Sequence, residues 1–519
     1  MKTKYLIVAL ITLLCGVITS CDNFLDEDTR ALLTPDNFFN NEEEVNLALN
    51  GIQGQMPSGD NMSDFLGTDL GVYGRSVASN SMKPGIYNYD ADNSVIANLW
   101  TTNYSGIKDC NFLLSRIVQS SLSDDVIGSA YAQAKFYRAI FYWELTVQFG
   151  DVPYWRDELD MDYVSMIGKT DATEIQEDMI ADLDSAISSG YLSTDKWNDN
   201  DSRPTVWAAR MLKAYYHMWL KQWSEARDEL REITTNSPHT LSDDYADIYR
   251  EGNELSDEII FGKENSSTAA KAYSNGNHAN AHYNSAGENA STRTVMSSLD
   301  IWQSTGGMTL LKSFADTFDD NDKRKLYNVW SSYTYDDGTV VNFNWIYMPK
   351  LMRACTPLED PLMQTADINK YSSNTCKIFR LSEAYLCLAE AEFMIDSTST
   401  SESLAAINVV RERAGLDPLT DMTHEDIRNE RAWELAGEGF SCRKRDLIRW
   451  GMLESTVIAT PAAEAAAGGY SKAISRAQDA ADIISGAETG KYRVYPIPND
   501  ELQMSQQIGG ALVQNPLWE

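Results

Sequence analysis

The apolar residues of this chain recur at helical spacing, and that pattern narrows the possible folds more than any other feature. Ala132, Phe136, Ala139, Ile140, Trp143 and Val147 fall three and four residues apart, which places them on one face of a helix of about five turns. The stop is sharp. Phe149-Gly150-Asp151-Val152-Pro153 puts glycine where a helix ends and proline just beyond, where no helix continues. A second helix is expected from Arg203-Pro204, proline being tolerated in a first turn. Trp207, Met211, Ala214 and Met218 line one of its faces, and Leu212, Tyr215 and Trp219 the adjoining one. After the break at Lys221-Gln222-Trp223 the period resumes with Ala226, Leu230 and Ile233. A comparable pair carries Ile378, Leu381, Tyr385 and Leu388, then Leu404, Ile407, Val410 and Ala414. An aromatic-rich helix, a tight turn and an Ala/Leu helix make a loose tetratricopeptide-like hairpin.

Between the helical blocks run long aperiodic stretches: Gly54 to Asn98, Lys263 to Met308, and Val329 to Asn344, the last with aromatics in short β-like alternation. Inserts of this length in a compact protein are uncommon and usually functional. Rigid helices carrying long loops suit a binding protein whose scaffold presents a loop surface. The expected fold is therefore mainly α, a tetratricopeptide-like α/α superhelical scaffold of about four helix pairs, with long irregular loops and a few short strands.

The first residues set the compartment. Lys2 and Lys4 precede an apolar run from Tyr5 to Ile18, too short to span a bilayer. It ends in Ile18-Thr19-Ser20-Cys21, which resembles a bacterial lipobox. The expected signal peptide is 1–20, cleaved before Cys21, whose acyl chains then form the membrane anchor. The chain carries a net charge of −33, and losing Lys2 and Lys4 takes it to −35. That balance excludes nucleic-acid binding and electrostatic docking on anionic lipid, so attachment must be covalent or hydrophobic.

Catalytic and metal motifs fail on inspection. Gly168-Lys169-Thr170 imitates the end of a phosphate loop, but Tyr163 stands where the first glycine must be. His278 and His282 share a helical spacing inside a Gly/Asn/Ser segment without the glutamate of a zinc protease. Asp319-Asp320-Asn321-Asp322 lacks the glycine of a calcium loop. No cofactor, no metal and no catalytic residue is assigned. Cys355 and Cys376 flank a polar loop, and both the paired and the thiol state fit the sequence.

Family resemblance enters through an ordered series of motifs. Asp22-Asn23-Phe24-Leu25-Asp26 follows the cysteine, and Ala134-Lys135-Phe136-Tyr137-Arg138-Ala139 leads into Gln148-Phe149-Gly150-Asp151-Val152-Pro153. Phe379-Arg380-Leu381-Ser382-Glu383-Ala384-Tyr385-Leu386, Arg413-Ala414-Gly415-Leu416, Glu430-Arg431 with Glu434-Leu435 and Glu438-Gly439, Asp446-Leu447, Tyr495-Pro496-Ile497-Pro498 and Gln514-Asn515-Pro516 complete it. In this order they resemble the SusD/RagB family of surface nutrient-binding lipoproteins of the Bacteroidetes. The resemblance implies an N-terminal region over 21–235 and a loop-rich C-terminal region over 236–519, packed as one unit. It implies lipid attachment at the outer-membrane surface and a SusC-type TonB-dependent β-barrel transporter as partner. It also implies capture of an oligosaccharide or polysaccharide, or in some members a peptide, handed to that transporter without chemistry.

Pyranose rings lay flat C–H faces on aromatic rings, and their hydroxyls need amide, acid or guanidinium partners. The candidate glycan-binding residues are accordingly the loop aromatics Tyr73, Tyr87, Tyr89, Tyr273, Tyr283, Trp302, Trp330, Tyr333 and Trp345, with Arg75 as a polar partner. Trp100 sits at helical spacing with Tyr104 and Ile107 and is assigned to the core. Two other functions use the same features: a helical-repeat protein binding peptides or proteins on its concave face, and a surface glycosidase, which needs two carboxylates flanking one sugar. Glu430, Glu434 and Glu438 stack at i, i+4 and repel unless cations from a neighbouring helix insert, Arg411 or Arg413 being placed to do so.

Overall fold

A computed structural model describes residues 39–56, 66–74, 80, 83–250, 255–264, 283–284, 288–298, 303–304, 308–351, 375–438 and 443–519. The scaffold begins with helices α1 (Glu42–Gln55), α2 (Ser94–Ile117), α3 (Asp124–Phe149), α4 (Ala172–Ser188), α5 (Val206–Trp219) and α6 (Trp223–Asn236). A short α7 (Ala290–Ser298) belongs to the loop layer. The scaffold resumes with α8 (Leu381–Asp396), α9 (Ser401–Ala414), α10 (His424–Leu435), α11 (Arg443–Arg449), α12 (Leu453–Ala466), α13 (Ser471–Ser485) and α14 (Asn499–Gln507). Successive helices pack as neighbours, α2 on α3, α3 on α4, α5 on α6, α6 on α8 and α8 on α9, so the helix pairs stack as a tetratricopeptide-like superhelix.

Local chemistry explains the helix ends. The Ser123 hydroxyl accepts from the Val126 N–H at the start of α3, and Gly150, at φ +72°, donates its N–H to the Thr146 carbonyl at the end. The periodicity of α3 predicts one buried face, yet every residue from Phe136 to Phe149 is buried. Neighbouring helices cover it on several sides, and its polar residues are buried with partners: Arg138 pairs with Asp182 at 2.6 Å and Glu144 with Arg445 at 2.8 Å. Helix α5 starts after Pro204. Its cap is Thr205, whose hydroxyl accepts from the Ala208 N–H at 3.3 Å. The turn into α6 passes through Lys221 at φ +60°.

The stretch 453–485 shows why periodicity misses some helices. It is Ala-rich and carries no broad apolar stripe, yet forms the tightly packed α12–α13 hairpin. Small side chains let the helix axes approach, which a search for large apolar residues does not register.

The strands are short: β1 (Gly71–Tyr73), β2 (Val152–Pro153), β3 (Lys169–Thr170), β4 (Ile259–Lys263), β5 (Tyr283–Asn284), β6 (Gln303–Ser304), β7 (Met308–Leu310), β8 (Trp330–Thr334), β9 (Val340–Tyr347) and β10 (Cys376–Arg380), with Val152, Phe261 and Phe379 of β2, β4 and β10 packed into the helical core. Four of them form a sheet in the order β1-β7-β9-β8, with Gly71 opposite Leu310, Leu310 opposite Ile346 and Tyr333 opposite Val341. The alternation read at 329–344 is thus a β-hairpin, its turn relying on Gly338 at φ +84°.

A buried ion network ties the loop layer to the helices. Arg324 of the loop layer reaches Glu430 at 2.7 Å and Glu434 at 3.1 Å, both on α10. Lys350, just after β9, reaches Glu438 at 2.8 Å. Arg411 and Arg413 of α9 pair with Glu430 and Glu434, and Arg413 also with Glu258 at 2.7 Å. Arg380 joins Glu258 at 2.9 Å, Glu438 at 2.7 Å and Glu434. The three stacked glutamates are therefore interleaved with cations from four segments. Burial alone would raise the Glu434 carboxyl, but Arg413, Arg380 and Arg324 hold it well below the usual range. Glu438 is likewise held at about 2 by Arg380 and Lys350 against its own burial.

Candidate functional site

Where the β8–β9 hairpin faces the turn between α12 and α13, the surface opens into a cleft of about 380 Å³. Its aromatic wall is Phe343, Trp345 and Tyr470. The Trp345 and Tyr470 rings meet edge to face at 4.7 Å and 90°. Polar groups line the remainder: the amides of Asn342 and Asn344, the Ser331 hydroxyl, and Lys312 with Asp316. Asn342, Ser331 and Asp316 are exposed, while Asn344 and Tyr470 are half-buried.

Two buried carboxylates shape this wall. Glu288 accepts from the Asn344 N–H at 3.0 Å, the Trp345 N–H at 2.9 Å and the Tyr347 hydroxyl at 2.9 Å, fixing the strand that carries Asn344 and Trp345. Glu464 accepts from the Ser313 N–H at 2.8 Å, and its other oxygen lies so near Gly469 that a Cβ there would sit 1.9 Å away. Any side chain at 469 would thus have to push the Glu464 carboxylate aside. The Tyr470 hydroxyl is pushed up by burial and by Glu288, with the Asn344 side chain opposing the shift. Aromatic faces beside amide, hydroxyl and charged groups are the surface a pyranose chain needs. Among the described residues no group of three His, Cys, Asp or Glu side chains is placed to hold a metal ion.

The sequence candidates separate into three groups. Trp330, Tyr333 and Trp345 come together on the hairpin, in one cluster with Val72, Tyr245 and Tyr347. Trp345 lies behind the cleft wall but is only 1% exposed, and Trp330, 6% exposed, packs edge-on against Phe343 at 4.9 Å, so neither turns an open face to a sugar; Tyr333 is half-buried beside Tyr335 at 5.0 Å. Tyr73, Tyr87 and Tyr89 lie elsewhere, and all three are buried. Tyr73 joins a cluster with Leu310 and Phe314, Tyr87 donates its hydroxyl to the Gly67 carbonyl at 3.0 Å, and Tyr89 stacks on Trp518 at 5.4 Å. In this arrangement these three rings pin their own segments and turn no open face to a sugar. Arg75, Tyr273 and Trp302, along with Cys21, Cys355, His278 and His282, lie outside the described residues, and Tyr283 is described only as part of β5. Tyr470, Asn342, Asn344 and Lys312 were not found from sequence. The one local signal for Tyr470 is the Gly468-Gly469-Tyr470 punctuation after an Ala-rich run.

Comparison with known proteins agrees with this architecture. A profile described as "SusD family" matches residues 153–518, and one described as "Starch-binding associating with outer membrane" matches residues 23–216. The chain is 29% identical over 491 residues to SusD-like protein P25 of Formosa agariphila, covering 84% of this chain and 88% of that one. A SusD-like protein of Bacteroides ovatus is 22% identical, with 87% and 83% covered. Among solved structures, a SusD homologue from Bacteroides thetaiotaomicron superposes with a TM-score of 0.76 at 20% identity, over 95% of this chain and all of that one. With a profile spanning most of its length, relatives aligned nearly end to end and the same helical fold, the chain belongs to the SusD family.

Proposed function

We propose that this protein is a cell-surface glycan-binding lipoprotein that captures oligosaccharide or polysaccharide and hands it, without chemistry, to a TonB-dependent outer-membrane transporter of the SusC type. The observation that carries the reading is the hairpin cleft, an aromatic wall with amide and hydroxyl partners on the loop layer of a SusD-family scaffold. Two structural neighbours support the ligand class: one is titled a laminarin-binding SusD-like protein, and another, a surface glycan-binding protein A from Bacteroides thetaiotaomicron, is in complex with laminarihexaose. The outer-membrane location follows the description of the N-terminal family profile. Cys21 is the proposed lipidated residue, and among the described residues no helix is long and apolar enough to cross a membrane.

Glycan capture in the cleft would use the half-buried Tyr470 ring, backed edge to face by buried Trp345, as platform and the amides of Asn342 and Asn344 for hydroxyls. The test is electrophoresis of the mature protein through gels cast with a panel of polysaccharides. Retention by at least one polysaccharide without release of reducing sugar is expected. Tyr470→Ala and Asn344→Ala should each lower that retention roughly tenfold, the loss of one stacking platform or one amide partner. Retention unchanged in both variants removes the glycan from this cleft; release of reducing sugar refutes the non-catalytic reading.

A further inference from the structure

A second cleft, of about 190 Å³, opens on the helical scaffold and shares no lining residue with the hairpin cleft. Its floor is aromatic. Tyr104 stacks on Trp155 at 5.1 Å and 8°, Trp100 meets Tyr104 edge-on at 4.8 Å, and the Tyr104 hydroxyl donates to the Pro153 carbonyl at 2.8 Å. The floor is thus held rigid before anything binds.

Two segments, 163–167 and 504–513, line it through Val164, Ser165, Ile167, Met504, Ser505 and Leu512, and they adjoin through the Ala511 N–H, which donates to the Met166 carbonyl at 3.2 Å. They carry Tyr163 at 59% exposed, Met166 at 47%, Met504 at 52%, Ile508 at 46% and Val513 at 56%. These are five of the twelve large apolar side chains most exposed among the described residues. Of the five, Met504 lines the cleft and the other four stand on the same two segments outside its lining; exposed apolar side chains beside an apolar cleft mark an interaction surface, and a methionine suits one that adapts to its occupant.

One charge stands in this apolar setting. Glu501 lines the cleft half-buried, and burial, with Asp500 beside it, raises its carboxyl above the usual range while the Trp100 indole opposes the shift. Among the described residues no lysine or arginine lies within ion-pair distance of it. Lys108, the one cation lining the cleft, is 55% exposed and sits 3.7 Å from Asp109. An occupant complementary to the cleft therefore brings an apolar body and a cation.

We propose that this cleft is a docking site for a partner polypeptide, which inserts an aromatic or aliphatic side chain against half-buried Tyr104, held in place by buried Trp155, and sets a neighbouring arginine or lysine against Glu501. The volume suits one large side chain, and a cation partly withdrawn from water beside Glu501 supplies the orientation that apolar contact lacks. The site is independent of glycan capture.

The probe is acetyl-Phe-Arg-amide, with acetyl-Phe-citrulline-amide as its uncharged counterpart, titrated into the mature protein by ligand-observed NMR. The arginine peptide should bind saturably and roughly fivefold tighter than the citrulline peptide, the advantage of one partly desolvated ion pair. Glu501→Gln should abolish that preference while keeping the weaker apolar binding. Met504→Asp should remove binding of both peptides; Met504 is 52% exposed, and Glu501→Gln keeps the shape of the half-buried side chain. No saturable binding, equal affinity for the two peptides, or binding unchanged by Met504→Asp overturns the proposal. A sedimenting dimer that Met504→Asp disperses overturns it as well, by giving the patch to a second copy of the chain.

Discussion

Removing Arg380 from the buried network should destabilise the protein far more than removing any surface cation. Its Nε donates to Glu438 at 2.7 Å, and its terminal nitrogens reach Glu258 at 2.9 Å, the Glu434 carbonyl at 2.7 Å and the Glu434 carboxylate. The cluster balances Glu258, Asp322, Glu430, Glu434 and Glu438 against Arg324, Arg380, Arg411, Arg413 and Lys350. Arg380→Met keeps much of the side-chain volume but leaves one negative charge uncompensated where side chains are 0–8% exposed. Breaking a buried pair on one side costs about 3–5 kcal/mol. Lys325, 34% exposed and paired with Asp320, which is 96% exposed, provides the contrast, and Lys325→Met should cost at most about 1 kcal/mol. Urea unfolding followed by tryptophan fluorescence reads both as shifts of midpoint at constant slope. An Arg380→Met protein within about 1 kcal/mol of the parent would refute the view that this network holds the loop layer on the scaffold.

Further consequences are open to the same measurements. Burial raises the Glu383 carboxyl to about 7, against lowering by Arg431 and the Tyr215 hydroxyl, so the folded state keeps a proton that the unfolded chain releases near 4.5. Stability from this group is therefore full below pH 4.5 and falls as pH rises to 7, by up to about 3 kcal/mol, and Glu383→Gln should flatten that decline in a midpoint-versus-pH series. Glu438 has the opposite sign: held at about 2, it stabilises the fold above pH 4.5, and its contribution fades as pH drops toward 2. Acid melts of Glu438→Gln should be flatter than those of the parent across that window. Gly469→Ala should displace Glu464 from the Ser313 N–H, costing about 1–3 kcal/mol and weakening glycan-gel retention; an unchanged melt would show that the α12–α13 turn yields freely.

How far the fold could be read in advance depended on the kind of interaction. Stripes such as Phe136-Ile140-Trp143-Val147 report helices because i, i+3, i+4 spacing is a local geometry. The Glu430-Glu434-Glu438 ladder was legible for a related reason: three like charges on one helix face require cations from outside, and Arg411 and Arg413 are there. The remaining cations, Arg324, Arg380 and Lys350, come from segments 54 to 110 positions away and carry no local mark. The α12–α13 pair escaped because alanine packing needs no large apolar side chain. The candidate site divided in the same way. Loop aromatics are visible as residue types, but whether a ring faces solvent or plugs its own loop depends on what folds over it, which separates half-buried Tyr333 from buried Tyr87 and Tyr89.

The sequence by itself determined the helical class and the order of family motifs, because these are written in spacings of a few residues. It also argued against nucleic acid and an anionic lipid surface as partners, because net charge is a sum over composition and needs no coordinates. Only the tertiary structure decided which aromatics meet. Trp345 and Tyr470, 125 positions apart, form one wall because Glu288 and Glu464 hold a strand and a helix turn in register across the cleft. Such a meeting is a property of packing between distant segments, which neither residue's neighbours in the chain encode.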